Sequence, residues 1–265
     1  MPFTSGDVAI YYVDEGRVDE GRRTETVFFC HGAGGNSTSW WRQIPAFARR
    51  YRCLAHDHRS FGRSRCPMDQ FDVTRFAEDA CAVLDAAGVD RAHFVCQSMG
   101  GWTGVQMALR HPDRVSSLVL ADTIGGIALP SGLAATRGMA ARASAAGALT
   151  PALAADYPRQ DPQGAFLYQH LSAFNTDLRQ DELFRRMFEP RALVSLEQVE
   201  ALQLPVLVVA GRKDLIWSPA ELRELAGLLP DARLVEIDAG HSAYFEAPDA
   251  FNAVVAEFLA AQAIE

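Results

Sequence analysis

The sequence contains nothing close to the roughly 18 uninterrupted apolar residues that a membrane-crossing helix needs. Its opening, Met1-Pro2-Phe3-Thr4-Ser5-Gly6-Asp7, lacks the basic and apolar segments of a secretory leader. The expectation is a soluble, cytoplasmic chain with no membrane partner. An excess of positive charge is also missing: 25 Lys and Arg are scattered among 33 Asp and Glu, giving a formal net charge of -8. Without a basic field to neutralise phosphates, the composition argues against nucleic acid as a partner. Cysteine is scarce. Cys30, Cys53, Cys66, Cys81 and Cys96 are odd in number and never closer than 13 positions, which suits neither a disulfide framework nor a zinc site. They read as reduced thiols, and Cys30 and Cys96 lie in apolar runs where a free cysteine behaves as a small hydrophobe. No internal repeat is present.

What the chain does have is ordinary globular composition over 265 residues, 49% apolar and 22% charged, enough for one sizeable core. Short apolar runs recur at Val8 to Val13, Val27 to Cys30, Arg52 to Ala55, His93 to Cys96, Val115 to Ala121, Pro205 to Ala210 and Arg233 to Ile237. Most are near-continuous, as in strands buried on both faces, and helical stretches separate several of them: Phe71 to Ala87, Trp102 to Arg110, Ala220 to Leu228 and Pro248 to Ala263. The pattern predicts an α/β fold with a mostly parallel central sheet and helices on both faces. Ser5-Gly6-Asp7 and the charged loop Asp14 to Glu25 suggest hairpin connections, so the sheet should start antiparallel. Between Asp122 and Pro205 lie about eighty residues, against the roughly two to six usual for such a connection. Residues 125–199 therefore read as an inserted helical cap on a catalytic domain formed by 1–124 and 200–265. An insertion there sits over the sheet edge at which open α/β folds bind ligands.

Chemistry concentrates in the strand-end loops. After the run ending at Cys96 comes Gln97-Ser98-Met99-Gly100-Gly101 and then a helical stretch. A serine squeezed into a strand-to-helix turn has its hydroxyl projecting, so Ser98 is the candidate nucleophile. A serine needs a base, and the base an orienting acid. His241, following the last strand, can supply the first, and Asp214, following Val206 to Gly211, the second; Asp122 is the rival acid at the end of the preceding strand. The oxyanion hole is assigned to the backbone N–H groups of Met99 and of Ala33, the latter in the loop His31-Gly32-Ala33-Gly34-Gly35-Asn36. His31 should hold that loop, whereas His93 and His111 read as surface or boundary residues. His56-Asp57-His58 reads as structural rather than metal-binding, because adjacent residues of an extended segment face opposite ways. The glycine loop has neither dinucleotide spacing nor a P-loop lysine. No metal and no cofactor are expected.

Taken together, Val27-Phe28-Phe29-Cys30-His31-Gly32, Asp57-His58-Arg59-Ser60-Phe61-Gly62-Arg63-Ser64, the serine turn, the strand leading to Asp214, and Gly240-His241 resemble an α/β-hydrolase with a cap. Three positions depart from the usual pattern: Cys96 replaces the first glycine of G-x-S-x-G, Ser60 replaces a glycine after arginine, and Gln97 stands where histidine or asparagine is more familiar. The Ser-Met-Gly-Gly turn and the cap position are similar to enol-lactonase-type ester and lactone hydrolases and to hydrolases of carbon-carbon bonds in ring-fission products. The resemblance implies a cofactor-independent serine hydrolase acting on a small ester or lactone, with carbon-carbon bond cleavage as the alternative. A ligand receptor on the same scaffold is a third reading. The apolar cap residues Met139, Phe166, Phe174, Met187 and Phe188 suggest a small, partly hydrophobic substrate touching Trp102, Phe166, His170, Phe174 and Trp217, with Arg137, Arg142, Arg159 or His170 available to a carboxylate. Trp40 and Trp41 read as packing, a homo-oligomer is left open, and the cap is expected to set substrate choice without joining the catalytic machinery.

Overall fold

In the computed structural model, residues 2–16, 25–148, 150–175 and 179–262 are described. Seven strands form one sheet: β1 (Tyr12–Glu15), β2 (Thr26–Cys30), β3 (Arg52–His56), β4 (Ala92–Gln97), β5 (Val115–Ala121), β6 (Val206–Gly211) and β7 (Ala232–Ile237). Their order is β1-β3-β2-β4-β5-β6-β7, with β1 antiparallel to β3 and every other pair parallel. The near-continuous apolar runs are the central strands: every residue of β2, β4 and β6 is buried. Edge strand β7 is mostly half-exposed.

The helices between and around them are α1 (Ile44–Phe47), α2 (Phe76–Ala86), α3 (Gly100–Arg110), α4 (Pro130–Ala145), α5 (Tyr157–Gln160), α6 (Pro162–Ser172), α7 (Gln180–Met187), α8 (Leu196–Glu200), α9 (Pro219–Leu228), α10 (Ala243–Glu246) and α11 (Pro248–Ala261). Side chains alternate across a strand, so β2 feeds two cores. Phe28 and Cys30 join Val83 of α2, Val105 of α3 and Leu222 of α9, while Val27 and Phe29 join Phe251 and Val255 of α11. No helix among the described residues is long and apolar enough to cross a membrane.

Two expectations about the start of the chain need correction. The first strand begins at Tyr12 rather than Val8; the preceding residues make only an isolated bridge, Phe3 to Tyr11. It is antiparallel, but to β3 and not to β2, with Tyr12 opposite His56, so Asp14 to Glu25 is no tight hairpin. Residues 17–24 of that loop lie outside the described residues.

Between β5 and β6 the chain leaves the sheet through Gly125 and Gly126, both with positive φ, and runs through α4 to α8. Its two stems meet: Ile127 and Val194 form a parallel bridge, with Ala128 N–H donating to Val194 O at 2.8 Å and Val194 N–H to Gly126 O at 2.9 Å. The insert is therefore pinched at its neck. Beyond it, α8 buries Val199 in the same core as Leu202 and Leu222.

Candidate active site

The turn between β4 and α3 places Ser98 at φ +49°, a left-handed conformation that a non-glycine residue adopts at a cost of about 1–3 kcal/mol. Three bonds hold it there. Ser98 N–H donates to Ala121 O at 3.0 Å, and Ser98 O accepts from Gly101 N–H at 2.9 Å and Thr123 Oγ1 at 2.6 Å. Cys96 is tolerated in place of a glycine because its neighbour on α3 is one: a Cβ at Gly104 would lie 2.6 Å from Cys96 Sγ. Ser60, the other departure, also sits at positive φ, +69°, and its hydroxyl bonds Cys66 O at 3.2 Å.

Ser98 Oγ is 2.8 Å from His241 Nε2, and His241 Nδ1 is 2.9 Å from Asp214 Oδ2. A carboxylate only accepts, so Nδ1 carries the proton and Nε2 is left to accept from the serine hydroxyl. Asp214 is fixed in turn by Ile216 N–H and Trp217 N–H, both donating to Oδ1, at 2.7 and 3.2 Å. All three side chains are buried. Asp122 is a second buried carboxylate, but it accepts from Gly211 N–H at 2.7 Å and Ala243 N–H at 3.0 Å and makes no bond to His241. Burial, then the charge of Asp214, push its pKa well up. Gln97, the third departure, donates through Nε2 to His241 O at 2.9 Å.

Next to the serine, no acceptor takes the N–H of Ala33 or Met99 among the described residues. The loop before Ala33 is anchored by His31, whose Nδ1 donates to Gly32 O at 2.8 Å while its Nε2 accepts from His58 N–H at 3.0 Å. Burial holds His31 and His56 neutral, with pKa values lowered to about 4 and about 3, and it also lowers that of His58 well below the ordinary imidazole value. His93 is not a surface residue: it is buried, with Nδ1 2.8 Å from Ser117 Oγ. A cavity of about 470 Å³ opens over Ser98 and His241, within the range of small-molecule sites.

Residues 25–248 match the family described as alpha/beta hydrolase fold. A RutD protein of Caulobacter sp. (strain K31), assigned as a carbamate hydrolase, is 33% identical over 253 residues, covering 90% of this chain and 92% of its own length. The 3-oxoadipate enol-lactonase 2 of Acinetobacter baylyi is 27% identical, covering 95% of this chain and 93% of its own. Among solved structures, Est816, described as an N-acyl homoserine lactone degrading enzyme, is 30% identical with a TM-score of 0.78, covering 97% of this chain and 100% of that one. The chain belongs to the α/β-hydrolase fold family. It is a hydrolase of the α/β fold.

In this α/β-hydrolase the pocket wall differs from the sequence-based expectation. Trp217 lines the cavity, as do Met139, Phe184, Met187 and Phe188 of the insert. Trp102, Phe166, His170 and Phe174 do not. Trp102 is one layer behind, its indole N–H donating to Met187 O at 3.1 Å and its ring against Phe188 and Trp217. Phe166 is 62% and Phe174 64% exposed. Phe166 and His170 are one helical turn apart on the outer face of α6, ring on ring, whereas Ala165, Tyr168 and Leu171 point inward at the helical spacing. Tyr168 and Phe184 are pocket residues that the sequence reading missed, and Tyr168 is the one beside the histidine. Its hydroxyl is 2.9 Å from Ser242 Oγ, beside His241, and burial pushes its pKa up to about 12. Of the candidate cations only Arg137 lines the cavity; Arg142 instead donates to Leu215 O at 3.1 Å and Ile216 O at 2.9 Å.

Proposed function

We propose that this α/β-hydrolase is a cofactor-independent serine hydrolase of small esters or lactones. Ser98 is the nucleophile, His241 the base, Asp214 the acid, and Ala33 and Met99 the oxyanion donors. The reading is carried by the continuous hydrogen-bond chain of 2.8 and 2.9 Å from serine to imidazole to carboxylate, opening into the cavity. As Ser98 Oγ attacks a carbonyl carbon, its proton passes to His241 Nε2, and the imidazolium is stabilised by Asp214 through Nδ1–H. The carbonyl oxygen gains its charge where the two unclaimed N–H groups can meet it, each such donor typically lowering the barrier by about 3 kcal/mol. His241 then returns the proton to the leaving oxygen, and water repeats the sequence on the acyl-enzyme.

Residues 125–199 act as the cap, with the neck at Ile127 and Val194 as support. The wall it contributes is largely apolar, and no Asp or Glu lines the cavity among the described residues. Arg137 has no hydrogen-bond or ion-pair partner among the described residues. A partly hydrophobic substrate carrying a negative group fits that wall, and Arg137→Ala should raise KM for an acid-bearing ester while leaving a neutral one of equal length unchanged. Equal KM values would remove Arg137 from substrate binding. The names of the relatives make lactones and carbamates the first compounds to assay beside aryl esters, with a vinylogous diketone to expose carbon-carbon cleavage.

The decisive experiment is labelling with a fluorophosphonate probe. Wild-type protein should be modified at Ser98, and Ser98→Ala should lose both labelling and turnover, the latter by on the order of six decades if the triad acts as a unit, while keeping its circular dichroism spectrum. Equal labelling of the variant would end this reading, and with it the choice of enzyme over ligand receptor.

A further inference from the structure

The segment carrying His241 is gripped by one side chain that the roles above leave unused. Glu246, at the end of α10, turns its carboxylate back onto the backbone on either side of the histidine. Oε2 accepts from Gly240 N–H at 3.1 Å and Oε1 from Ser242 N–H at 3.2 Å. Oε2 takes a further N–H, that of Ala154, at 3.0 Å, from the far side of the insert's neck. No Lys or Arg pairs with Glu246 among the described residues, and burial is the largest influence on its carboxyl, raising the pKa against the pull of those three amides. The approach of the insert here is close. A Cβ on Gly240 would overlap Ala154 N and come within 2.8 Å of Leu153 C and Glu246 Oε1, so a side chain at residue 240 would push the insert off the loop.

We propose that Glu246 is the positioning residue for the base, and that by sharing one oxygen between Gly240 and Ala154 it makes the placement of the imidazole and the seating of the insert a single event. The inference rests on His241 being the base. It alters the role expected of the insert, which then helps assemble the site as well as forming its wall. Two further bonds act on the same short segment: Gln97 Nε2 to His241 O, from the nucleophile's own strand, and the Tyr168 hydroxyl to Ser242 Oγ, from α6. Glu246 differs from both in touching each flank of the histidine and the insert at once. Position is what such a clamp supplies, because a displacement of about 1 Å in a reacting group can cost on the order of 100-fold in rate.

Glu246→Gln tests this directly. A carboxamide offers one acceptor oxygen and a donor NH2, so three converging N–H groups cannot all be satisfied and at least one meets another donor. The expected result is a fall in kcat of about 10- to 100-fold on p-nitrophenyl acetate and on a long-chain ester alike, with KM within about twofold. Glu246→Ala should fall further. The downfield NMR signal of the Nδ1 proton between His241 and Asp214 should broaden or vanish in both variants. An unchanged kcat with an unchanged proton signal would overturn the proposal, and so would a loss confined to KM for the long ester. Should Glu246→Gln unfold at the assay temperature, Gly240→Ala, whose added Cβ would overlap Ala154 N, tests the coupling instead: a lowered kcat on the acetate supports it, and wild-type kcat refutes it. His241→Ala and Ser98→Ala run in parallel. If those variants stay active, the reading of the site has failed; if they are dead and Glu246→Gln is not, only the clamp has failed.

Discussion

The short loops at the carboxyl ends of β4, β5, β6 and β7 and the far longer insert solve different problems. In the loops almost every polar group is committed: Asp214 holds two amides and a histidine, Asp122 two amides, and Ser98 sits in a strained conformation pinned by three bonds. The insert is fastened at its neck, by Arg142 on Leu215 O and Ile216 O, by Ala154 and Tyr168 around His241, by Asn175, whose Nδ2 donates to Gly34 O and Gly35 O, and by Arg186 on Asp69 O and Phe71 O. Elsewhere it exposes Phe166 and Phe174 and carries surface ion pairs such as Arg185 with Glu182 and Glu189, a kind of contact that adds little to stability. Groups that react must be held, whereas a wall need only exclude water and match a shape.

The hardest test of that contrast is at the two acids. Asp214→Asn should lower kcat by about four decades, because the amide favours the wrong imidazole tautomer. Asp122→Asn should cost far less in kcat but lower the melting temperature, since one of its two buried amide donors would then face an NH2 group. Steady-state kinetics and melts on both variants decide it. The reverse ranking in kcat would move the acid to β5.

A smaller effect is expected under the oxyanion loop. His31 and His56 are held neutral when folded, with pKa values lowered to about 4 and about 3, while an unfolded histidine titrates near 6.5. Below about pH 6.5 the unfolded chain binds the protons first, so stability is complete above that pH and is lost progressively as pH falls toward about 3. Each kcal/mol lost should appear as roughly 2–4 °C in Tm. His56 is fully buried, so His56→Phe, which removes its titration, should flatten the slope of Tm against pH. A slope as steep as wild type would place the acid sensitivity elsewhere.

Smallest are the effects within the insert. Phe184→Ala should raise KM for a long acyl ester by the equivalent of about 1–3 kcal/mol and leave p-nitrophenyl acetate nearly untouched. Phe166→Ala and Phe174→Ala should change neither KM nor stability by more than about 0.5 kcal/mol, as their rings face solvent. Matching KM shifts in all three variants would mean that α6 turns its outer face to substrate in solution.

The aromatic residues show where sequence reading stops. In Ala165-Phe166-Leu167-Tyr168 the apolar positions are contiguous, so helical periodicity selects no face, and the more apolar ring, Phe166, turns outward while Tyr168 reaches the site. By contrast Ser98 lies where a buried strand meets a glycine-rich helix start, a local pattern of few alternatives. The misplaced first strand is a similar case. Val8 and Ile10 are buried as an apolar run suggests, but their backbone pairs with no strand of the sheet. Gln97 was visible only as an unusual residue before the serine; its partner, the carbonyl of His241, is 144 positions away.

By itself the sequence determined the alternation of strands and helices, the strained turn at Ser98, the strand-end positions of Asp122, Asp214 and His241, and the long interruption after β5. Each of these follows from local sterics and burial, which act over a few residues and leave a periodic or compositional trace. Only the tertiary structure decided that Asp214 rather than Asp122 lies against the imidazole, that β1 pairs with β3, which ring faces the cavity, and that Glu246 gathers amides from the base loop and the insert. Those outcomes depend on distances between segments from 27 to more than 90 residues apart, which are fixed by how two cores pack on one sheet and not by any spacing along the chain.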